Sequence, residues 1–389
     1  MQLQEFQAKI LLSQYAIGSP AGAVAMTADE AEAAAARLNV DRIFVKAQIL
    51  AGERLAAGGI RTVNSAKAAK AAAGELLGQK LVTAQTTAQG QTVKSVLVEA
   101  GIKAEQELYL SLQIDPVSGA ILLTAGRGGA DIEKRVAAQE LKLESLALGV
   151  NGERRSGEIA GLAQRIGLSG GLATKFGELV KKLHRAFVEL DAGLIEINPL
   201  VVTDPGELVA VDAKVVVDDN ALFRHPELKE LRDESKTDRV ELHAQRHQIN
   251  FVQMDGDIGT VVNGAGLALA TLDMIAAAGG SPANFMDIRT TAKSLDIAQG
   301  ISLVLENSRA KVLLVNVFGG GMQPCDTIAE ALGIAFRRSK RILPVVIRMT
   351  GNNEDLARLR LANYNLPKTE CTDMWQAVAR AVALAQGRA

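Results

Sequence analysis

The sequence is short of the residues that mark several classes of protein. Aromatic residues make up only 3% of its 389 positions, and it contains two cysteines and four histidines. Cys325 and Cys371 form no spacing motif, so neither a disulfide framework nor a Cys/His zinc site is expected. The 43 basic side chains balance 44 acidic ones, unlike the basic surface of a nucleic-acid-binding protein.

Long apolar runs are also missing. No window approaches the ~20 consecutive apolar residues of a membrane span. The first residues, MQLQEFQAKILL, are polar where a signal peptide would be apolar. We therefore expect a cytoplasmic protein that binds neither membrane nor nucleic acid.

Apolar residues are plentiful, at 48%, and a chain of this length is expected to form two or three domains. RIFVKAQI (42–49), SVLVEA (95–100) and ELYLSLQI (107–114) predict strands in the first half. The charged stretch 220–248 indicates a boundary, which divides the chain into domains 1–237 and 238–389. Strand–glycine–helix units follow, and they predict a doubly wound parallel sheet.

Two of the predicted strands, LIEINPLVV and ELVAVDAKVVV, are joined by the turn-rich TDPGE. If Asp204-Pro205-Gly206 forms the loop, Asn198 falls opposite Asp212. Alternation along the strand then puts Glu196 on the same face as Asn198. This polar face either binds Mg²⁺ with nucleotide phosphates or is simply solvated.

Lys46 lies within an apolar strand. It is either an edge residue whose amine reaches water or a buried charge that awaits an anion. The glycine-containing loop that follows, with Arg54 in it, can bring backbone N–H groups to phosphate oxygens. Glu99 and Glu107, at the end of one strand and the start of the next, contact a nucleotide or are surface carboxylates.

Two glycine turns in the second half, VNGAGLALA and VFGGGMQPCD, each end a strand and open a helix. Helix N-termini favour anions, although the glycines could merely permit tight turns. Neither turn fits G-x-G-x-x-G, so a nicotinamide site gains little support. No obvious nucleophile stands near the second turn, and the nearest histidine in sequence is His247.

Together these stretches resemble the β subunit of succinate–CoA ligase over essentially the whole chain. The resemblance is carried by VKAQILAG, ELYLSLQID, LIEINPLVV, DDNALFRHPEL, DGDIGTVVNGAGLALATLDMI, VLLVNVFGG and GNNEDLA. It implies an α/β fold in which an ATP-grasp nucleotide-binding domain precedes a flavodoxin-like, doubly wound CoA-ligase domain. It also implies Mg²⁺, ATP (with GTP as the alternative) and an α subunit that carries CoA and the phosphorylated histidine, in a heterodimer or heterotetramer.

The resemblance also implies roles for individual residues. Glu196 is expected to receive the phosphohistidine at the nucleotide site, and Asn198 and Asp212 to bind Mg²⁺. The positions implied to contact the nucleotide are Lys46, Glu53, Arg54, Leu55, Glu99, Ile102 and Glu107. Those implied to bind the acid are Asn263, Gly320, Gly321 and Met322.

The chain departs from the family at both sites. The family's GGRGK loop is Gly52-Glu53-Arg54-Leu55-Ala56 here, and Ile102 replaces a threonine. A glycine triplet has become Arg289-Thr290-Thr291, and GGIVRCD has become the longer GGGMQPCD. These changes predict an acid other than plain succinate, such as malate, citrate, itaconate or a sulfonated acid, with Arg289 facing a second anionic group; drift is the alternative.

The expected function is therefore that of the β subunit of an ADP-forming acid–CoA ligase. The alternative is a non-catalytic ATP-grasp partner of an α-like subunit. The carboxylate of Glu53 beside the phosphate site favours the second reading, whereas Lys46, Glu196, Asn198 and Asp212 favour the first.

Overall fold

The computed structural model describes residues 1–88, 90–129, 132–149, 156–232, 239–364 and 366–388. The chain divides into two compact units, Met1–Arg232 and Asp233–Ala389. The boundary placed after residue 237 on sequence grounds falls within 233–238, outside the described residues.

The first unit is a mixed α/β structure. Its helices are α1 (Glu5–Ser13), α2 (Ala28–Leu38), α3 (Ala66–Leu76), α4 (Ile132–Ala137), α5 (Ser156–Arg165), α6 (Gly170–Glu189) and α7 (Pro226–Glu230), with a 3₁₀ helix at Asp219–Arg224. Its strands are β1 (Gly22–Ala25), β2 (Ile43–Ala47), β3 (Ile60–Val63), β4 (Lys80–Leu81), β5 (Gln91–Thr92), β6 (Val96–Ala100), β7 (Gln106–Ile114), β8 (Ile121–Arg127), β9 (Glu144–Leu148), β10 (Ala192–Val202), β11 (Leu208–Ala210) and β12 (Ala213–Val217).

The strands of this unit form two main sheets, each with its own core. One has the order β1-β6-β2-β3, and the alanine-rich faces of α2 and α3 pack against it. The other has the order β11-β10-β7-β8-β9, with β12 also paired to β10. Helix α6 buries Phe176, Leu179 and Leu183 in the core of this second sheet, as its helical apolar spacing predicts.

The hairpin has the predicted register. Strand β10 pairs Ile197 with Ala213 and Leu200 with Ala210, so Asn198 lies opposite Asp212. The Thr203 amide donates to Glu207 and the Gly206 amide donates back to Thr203, which closes the turn. The second predicted strand is interrupted between β11 and β12, and within the break the Val211 carbonyl accepts hydrogen bonds from Lys9 and Lys46.

The second unit alternates strands with helices. Its helices are α8 (Arg239–Arg246), α9 (Ala265–Ala277), α10 (Ser294–Glu306), α11 (Cys325–Arg338), α12 (Glu354–Ala362) and α13 (Met374–Ala385). Its strands are β13 (Ile249–Gln253), β14 (Ile258–Asn263), β15 (Asn284–Ile288), β16 (Val312–Gly319), β17 (Val345–Gly351) and β18 (Lys368–Glu370).

These strands form a sheet in the order β13-β15-β14-β16-β17-β18. All neighbours are parallel except the edge strand β13, which runs antiparallel to β15 and which the sequence reading did not predict. Helices α10, α11 and α12 cover one face, and α9 and α13 cover the other. Neighbouring residues such as Leu313 and Leu314 accordingly enter different cores, which is the doubly wound arrangement.

No helix among the described residues is long and apolar enough to cross a membrane.

Candidate functional site

A cleft of about 600 Å³ lies in the first unit between its two main sheets. Strands β2, β6, β10 and β12 and the loop after β2 contribute to its walls. All the sequence-predicted residues of this unit line it, namely Lys46, Glu53, Arg54, Leu55, Glu99, Ile102, Glu107, Glu196, Asn198 and Asp212.

Lys46 is a buried charge, not an edge residue. Its ammonium lies 2.8 Å from Glu5 Oε1 and 2.8 Å from Glu99 Oε2, and it donates to the Val211 carbonyl at 2.8 Å. Burial would lower the pKa of Lys46, but the charges of Glu5 and Glu99 outweigh it and raise the pKa above its usual value. Lys46 is therefore held protonated in the wall of the cleft.

The anions beside Lys46 belong to the chain itself, and α1 supplies one of them. Glu5 also contacts Lys9 at 2.8 Å, and Lys9 contacts Glu99 at 2.6 Å. Burial would raise the pKa of Glu5, yet the charges of Lys46, Arg54 and Lys9 hold it well below its usual value. Glu99 is 2% exposed, so the reading of it as a surface carboxylate is wrong.

Arg54 connects this group to the hairpin. Its Nη2 lies 2.7 Å from Glu5 Oε2 and 2.8 Å from Asp212 Oδ2, while Nη1 donates to the Ala47 carbonyl. We call Lys9, Lys46, Arg54, Glu5, Glu99 and Asp212 the ion-pair cluster. Because three cations meet three carboxylates, the cluster is neutral, and an entering anion changes its charge balance.

The pair of oxygen ligands predicted for a metal is brought to one cleft. Asn198 Oδ1 accepts from the Gly129 amide at 3.2 Å, and Asp212 Oδ2 is bound to Arg54. The described residues contain no group of three or more acidic, His or Cys side chains placed to hold a metal. An amide and a carboxylate on facing strands fit Mg²⁺, which takes its remaining ligands from phosphates and water.

Glu196 lies half-buried in the middle of the hairpin wall. On β10 it sits between Ser111 of β7 and Lys214 of β12, and the Tyr109 hydroxyl donates to its Oε2 at 3.3 Å. Tyr109 therefore helps to orient the carboxylate within the cleft.

The loop after β2 has a glycine-like backbone at a residue that is not glycine. Glu53 has a φ of 55°, in the left-handed region that favours glycine, and its carbonyl accepts from the Ala57 amide. A non-glycine residue in this conformation costs about 1–2 kcal/mol. Glu53 therefore occupies a conformation that glycine would adopt without strain, and Leu55 is 59% exposed at the cleft.

In the second unit, the side chain of Asn263, in the VNGAGLALA turn, is hydrogen-bonded to the backbone of the VFGGGMQPCD turn. Its Nδ2 donates to the Phe318 carbonyl at 2.8 Å, and its Oδ1 accepts from the Phe318 amide at 2.9 Å. Gly320 and Gly321 follow. Neither has a left-handed φ, and a Cβ at either would meet no described atom within 4 Å. Fold geometry does not require these two glycines, and their missing side chains leave open space beside Met322, which is 68% exposed.

Arg289 stands at the carboxyl end of β15, on the other side of β14. Its guanidinium donates to Asn250 Oδ1 at 3.0 and 3.2 Å. The side-chain Nδ2 of Asn250 in turn donates to Asp287 Oδ2 at 3.0 Å. Asp287 Oδ1 accepts from the Gly264 amide at 2.8 Å, at the start of α9. Arg289 is exposed and has no carboxylate within ion-pair distance among the described residues, so its charge is available to an anion.

Comparison with known proteins decides the family. One family model, described as an ATP-grasp domain, matches residues 2–202, and another, described as CoA-ligase, matches residues 261–386. The succinate–CoA ligase (ADP-forming) subunit beta of Ralstonia pickettii is 39% identical over 389 residues, 100% of both chains. That of Myxococcus xanthus is 40% identical over 386 residues, 98% of this chain and 99% of its own.

The chain belongs to the succinate–CoA ligase β-subunit family. The expected fold class, an ATP-grasp domain followed by a CoA-ligase domain, is confirmed. A solved structure of ATP citrate lyase from Methanothrix soehngenii, in complex with citrate and coenzyme A, has a TM-score of 0.74 over 100% of both chains. Its sequence is 17% identical, so this likeness speaks for the fold alone.

Within this succinate–CoA ligase-like chain, sequence reasoning missed several contacts of the candidate site. Glu5 and Lys9 stand four residues apart on a predicted helix, which signals a pair but not its burial against Lys46. Asn250 was missed because the antiparallel strand β13 was missed. Tyr109 alternates with apolar residues in its strand and gave no signal of its own.

Proposed function

We propose that this chain is the nucleotide-binding β subunit of an ADP-forming acid–CoA ligase. The reaction takes ATP and an acid to an acyl phosphate by way of a phosphohistidine on the α subunit, and CoA then displaces phosphate. Family membership supports this function, and one observation carries it further: the positions that the resemblance assigns to the nucleotide line one cleft, whose wall includes the protonated, buried Lys46.

In this proposal the ion-pair cluster receives the nucleotide phosphates. Lys46 and Arg54 are fixed by their carboxylate partners with little side-chain freedom left to lose, which favours binding. Arg54 also pairs with Asp212 at 2.8 Å and so links the loop after β2 to the hairpin. Asn198 and Asp212 would hold Mg²⁺, which supplies compensating positive charge at the phosphates.

Glu196 is assigned the task of receiving the α-subunit phosphohistidine. A carboxylate in hydrogen-bond contact with an imidazole orients the ring and stabilises its charged form. The hydrogen bond from the Tyr109 hydroxyl helps to orient the Glu196 carboxylate, and Lys214 pairs with Glu196 across the hairpin.

The test is ATP-dependent phosphorylation of the α-subunit histidine in the complex. Glu196→Gln keeps the shape of the side chain and removes its charge, and we expect it to stop labelling from γ-labelled ATP. Glu178→Gln, in an exposed ion pair on α6, is the matched control and should label normally. Unchanged labelling in Glu196→Gln would show that this assignment is wrong.

For the acid, we propose a small acid with at least two anionic groups, other than plain succinate. Succinate is itself a dicarboxylate, so the expected difference lies in an added substituent or in the second anionic group. The open space at Gly320 and Gly321 and the unmatched charge of Arg289 support this class, which includes malate, citrate, itaconate and sulfonated acids. Succinate remains the reference substrate against which these are measured.

The second candidate function is a non-catalytic partner that docks an α-like subunit without turnover. Glu53, a carboxylate on the phosphate-binding loop, favours it. The two functions differ in one measurement, since only the first predicts labelling of the α-subunit histidine by ATP.

A further inference from the structure

The Gln323 side chain joins the two loops of the second unit that flank the proposed acid site. It is 4% exposed, and its Nε2, which has two N–H groups to donate, lies within hydrogen-bond distance of three backbone carbonyls of the 289–292 segment. The distances are 2.8 Å to Ala292, 3.2 Å to Arg289 and 3.5 Å to Thr290. One amide thus connects the loop after β16 to the loop after β15.

The orientation of this amide follows from its partners. A flipped side chain would place Oε1 among three carbonyl oxygens, where it has no donor to accept from. Oε1 instead lies buried on the other side, without a hydrogen-bond partner among the described residues. An unsatisfied buried acceptor is unfavourable. The glutamine is therefore poorly explained as core filling, for which an apolar side chain of the same length would serve.

Gln323 also belongs to the turn that it anchors. The Gly320 amide donates to the Gln323 carbonyl at 3.1 Å, which closes the 320–323 turn. Through its side chain the same residue holds the backbone of Arg289, whose guanidinium is exposed. A shift of Gln323 would consequently move both the open glycines and the arginine.

We propose that Gln323 is a positioning residue for the acid: it clamps the 289–292 segment to the 320–323 turn and so sets where Arg289 meets the second anionic group. This inference rests on the proposed function. The residue lies in the stretch where the family's GGIVRCD has become GGGMQPCD, so the clamp and Arg289 are two parts of one altered acid site.

The experiment compares Gln323→Met and Gln323→Glu with wild type in the complex with the α subunit. Met keeps the length of the side chain without its donors, and Glu keeps its shape while facing the three carbonyls with an acceptor. Gln386→Met is the matched control. Gln386 lies at the end of α13, is exposed, and donates from its side chain to a single carbonyl, that of Gly279. We expect both Gln323 variants to raise the KM for the acid at least about tenfold, with the KM for ATP unchanged.

A second readout separates positioning from a general structural role. If Gln323 acts through Arg289, then Gln323→Met should add little to the acid KM in an Arg289→Gln background. Fully additive effects, or an acid KM within about twofold of wild type in Gln323→Met, would overturn the proposal.

Hydrogen exchange gives a readout that needs no turnover. Amides of the 289–292 segment should exchange faster in Gln323→Met than in Gln386→Met, and equal exchange would also overturn the clamp. If wild type shows no acid-dependent turnover at all, the proposed function fails, and the exchange measurement decides the clamp on its own.

Discussion

Lys46 offers the sharpest perturbation of the ion-pair cluster. It contacts Glu5 and Glu99 at 2.8 Å each, and its side chain is 4% exposed. Lys46→Met keeps the apolar stem and leaves the cluster with one unmatched buried negative charge. Breaking a buried pair from one side costs about 3–5 kcal/mol. Since 1 kcal/mol shifts the melting temperature of a domain of this size by about 2–4 °C, we expect a fall of about 6–20 °C.

The assay is calorimetry of the variant beside two others. Lys181→Met, which removes an exposed ion pair with Glu178 on α6, should change stability by less than about 0.5 kcal/mol. Lys46→Met combined with Glu99→Gln makes the cluster neutral again and should recover part of the loss, with a coupling energy of about 0.5–3 kcal/mol. A Lys46→Met protein that melts within about 2 °C of wild type, or a double variant with strictly additive losses, would refute this reasoning.

Three further predictions concern the two sites. The pKa of Glu5 is lowered in the folded chain. The Glu5 carboxylate therefore stabilises the fold above pH 4.5, the usual pKa of a glutamate, and this stabilisation is lost as the pH falls through the folded pKa. Glu5→Gln should flatten this part of the acid-unfolding curve, and an unchanged curve would contradict the assignment. Glu53→Gly should stabilise the chain by about 0.5–1 kcal/mol, because relief of the left-handed φ exceeds the extra freedom of the unfolded glycine; a lower melting temperature would show that Glu53 makes a stabilising contact. Arg289→Gln should raise the KM for a di-anionic acid about tenfold or more, since a charged hydrogen bond contributes about 1.5–3 kcal/mol; the KM for a monocarboxylic acid should barely change, and an equal rise for both would contradict the proposed contact.

Local patterns in the sequence predicted much of what positions the first site. The register of the hairpin follows from the Asp204-Pro205-Gly206 turn and strand alternation alone, so Asn198 could be placed opposite Asp212. The apolar strand left Lys46 as either an edge residue or a buried charge, and the structure shows that it is buried. Its partner Glu5 comes from a helix 41 positions away in the chain, and no local pattern reports such a contact.

In the second unit, too, local patterns predicted the main elements but not the contacts between distant segments. Strand–glycine–helix units predicted the parallel sheet, because in each unit an apolar strand, a glycine turn and the apolar spacing of a helix follow one another along the chain. Strand β13 was missed because it directly follows a highly charged stretch and is a short antiparallel edge strand. Asn250 was missed because it lies on this strand. The contacts of Gln323 could not be predicted either, because its three acceptors are backbone carbonyls of another loop.

The most direct test of the account is CoA-dependent release of ADP by the chain co-expressed with its α-like subunit, measured over a panel of acids. We expect sustained ADP release, beyond the one equivalent formed when the α-subunit histidine is phosphorylated, to require both CoA and an acid. Among acids with at least two anionic groups, one other than succinate is expected to be turned over best. ADP release that no acid stimulates would contradict the ligase function. Succinate turnover equal to or better than that of every other acid would contradict the altered acid site.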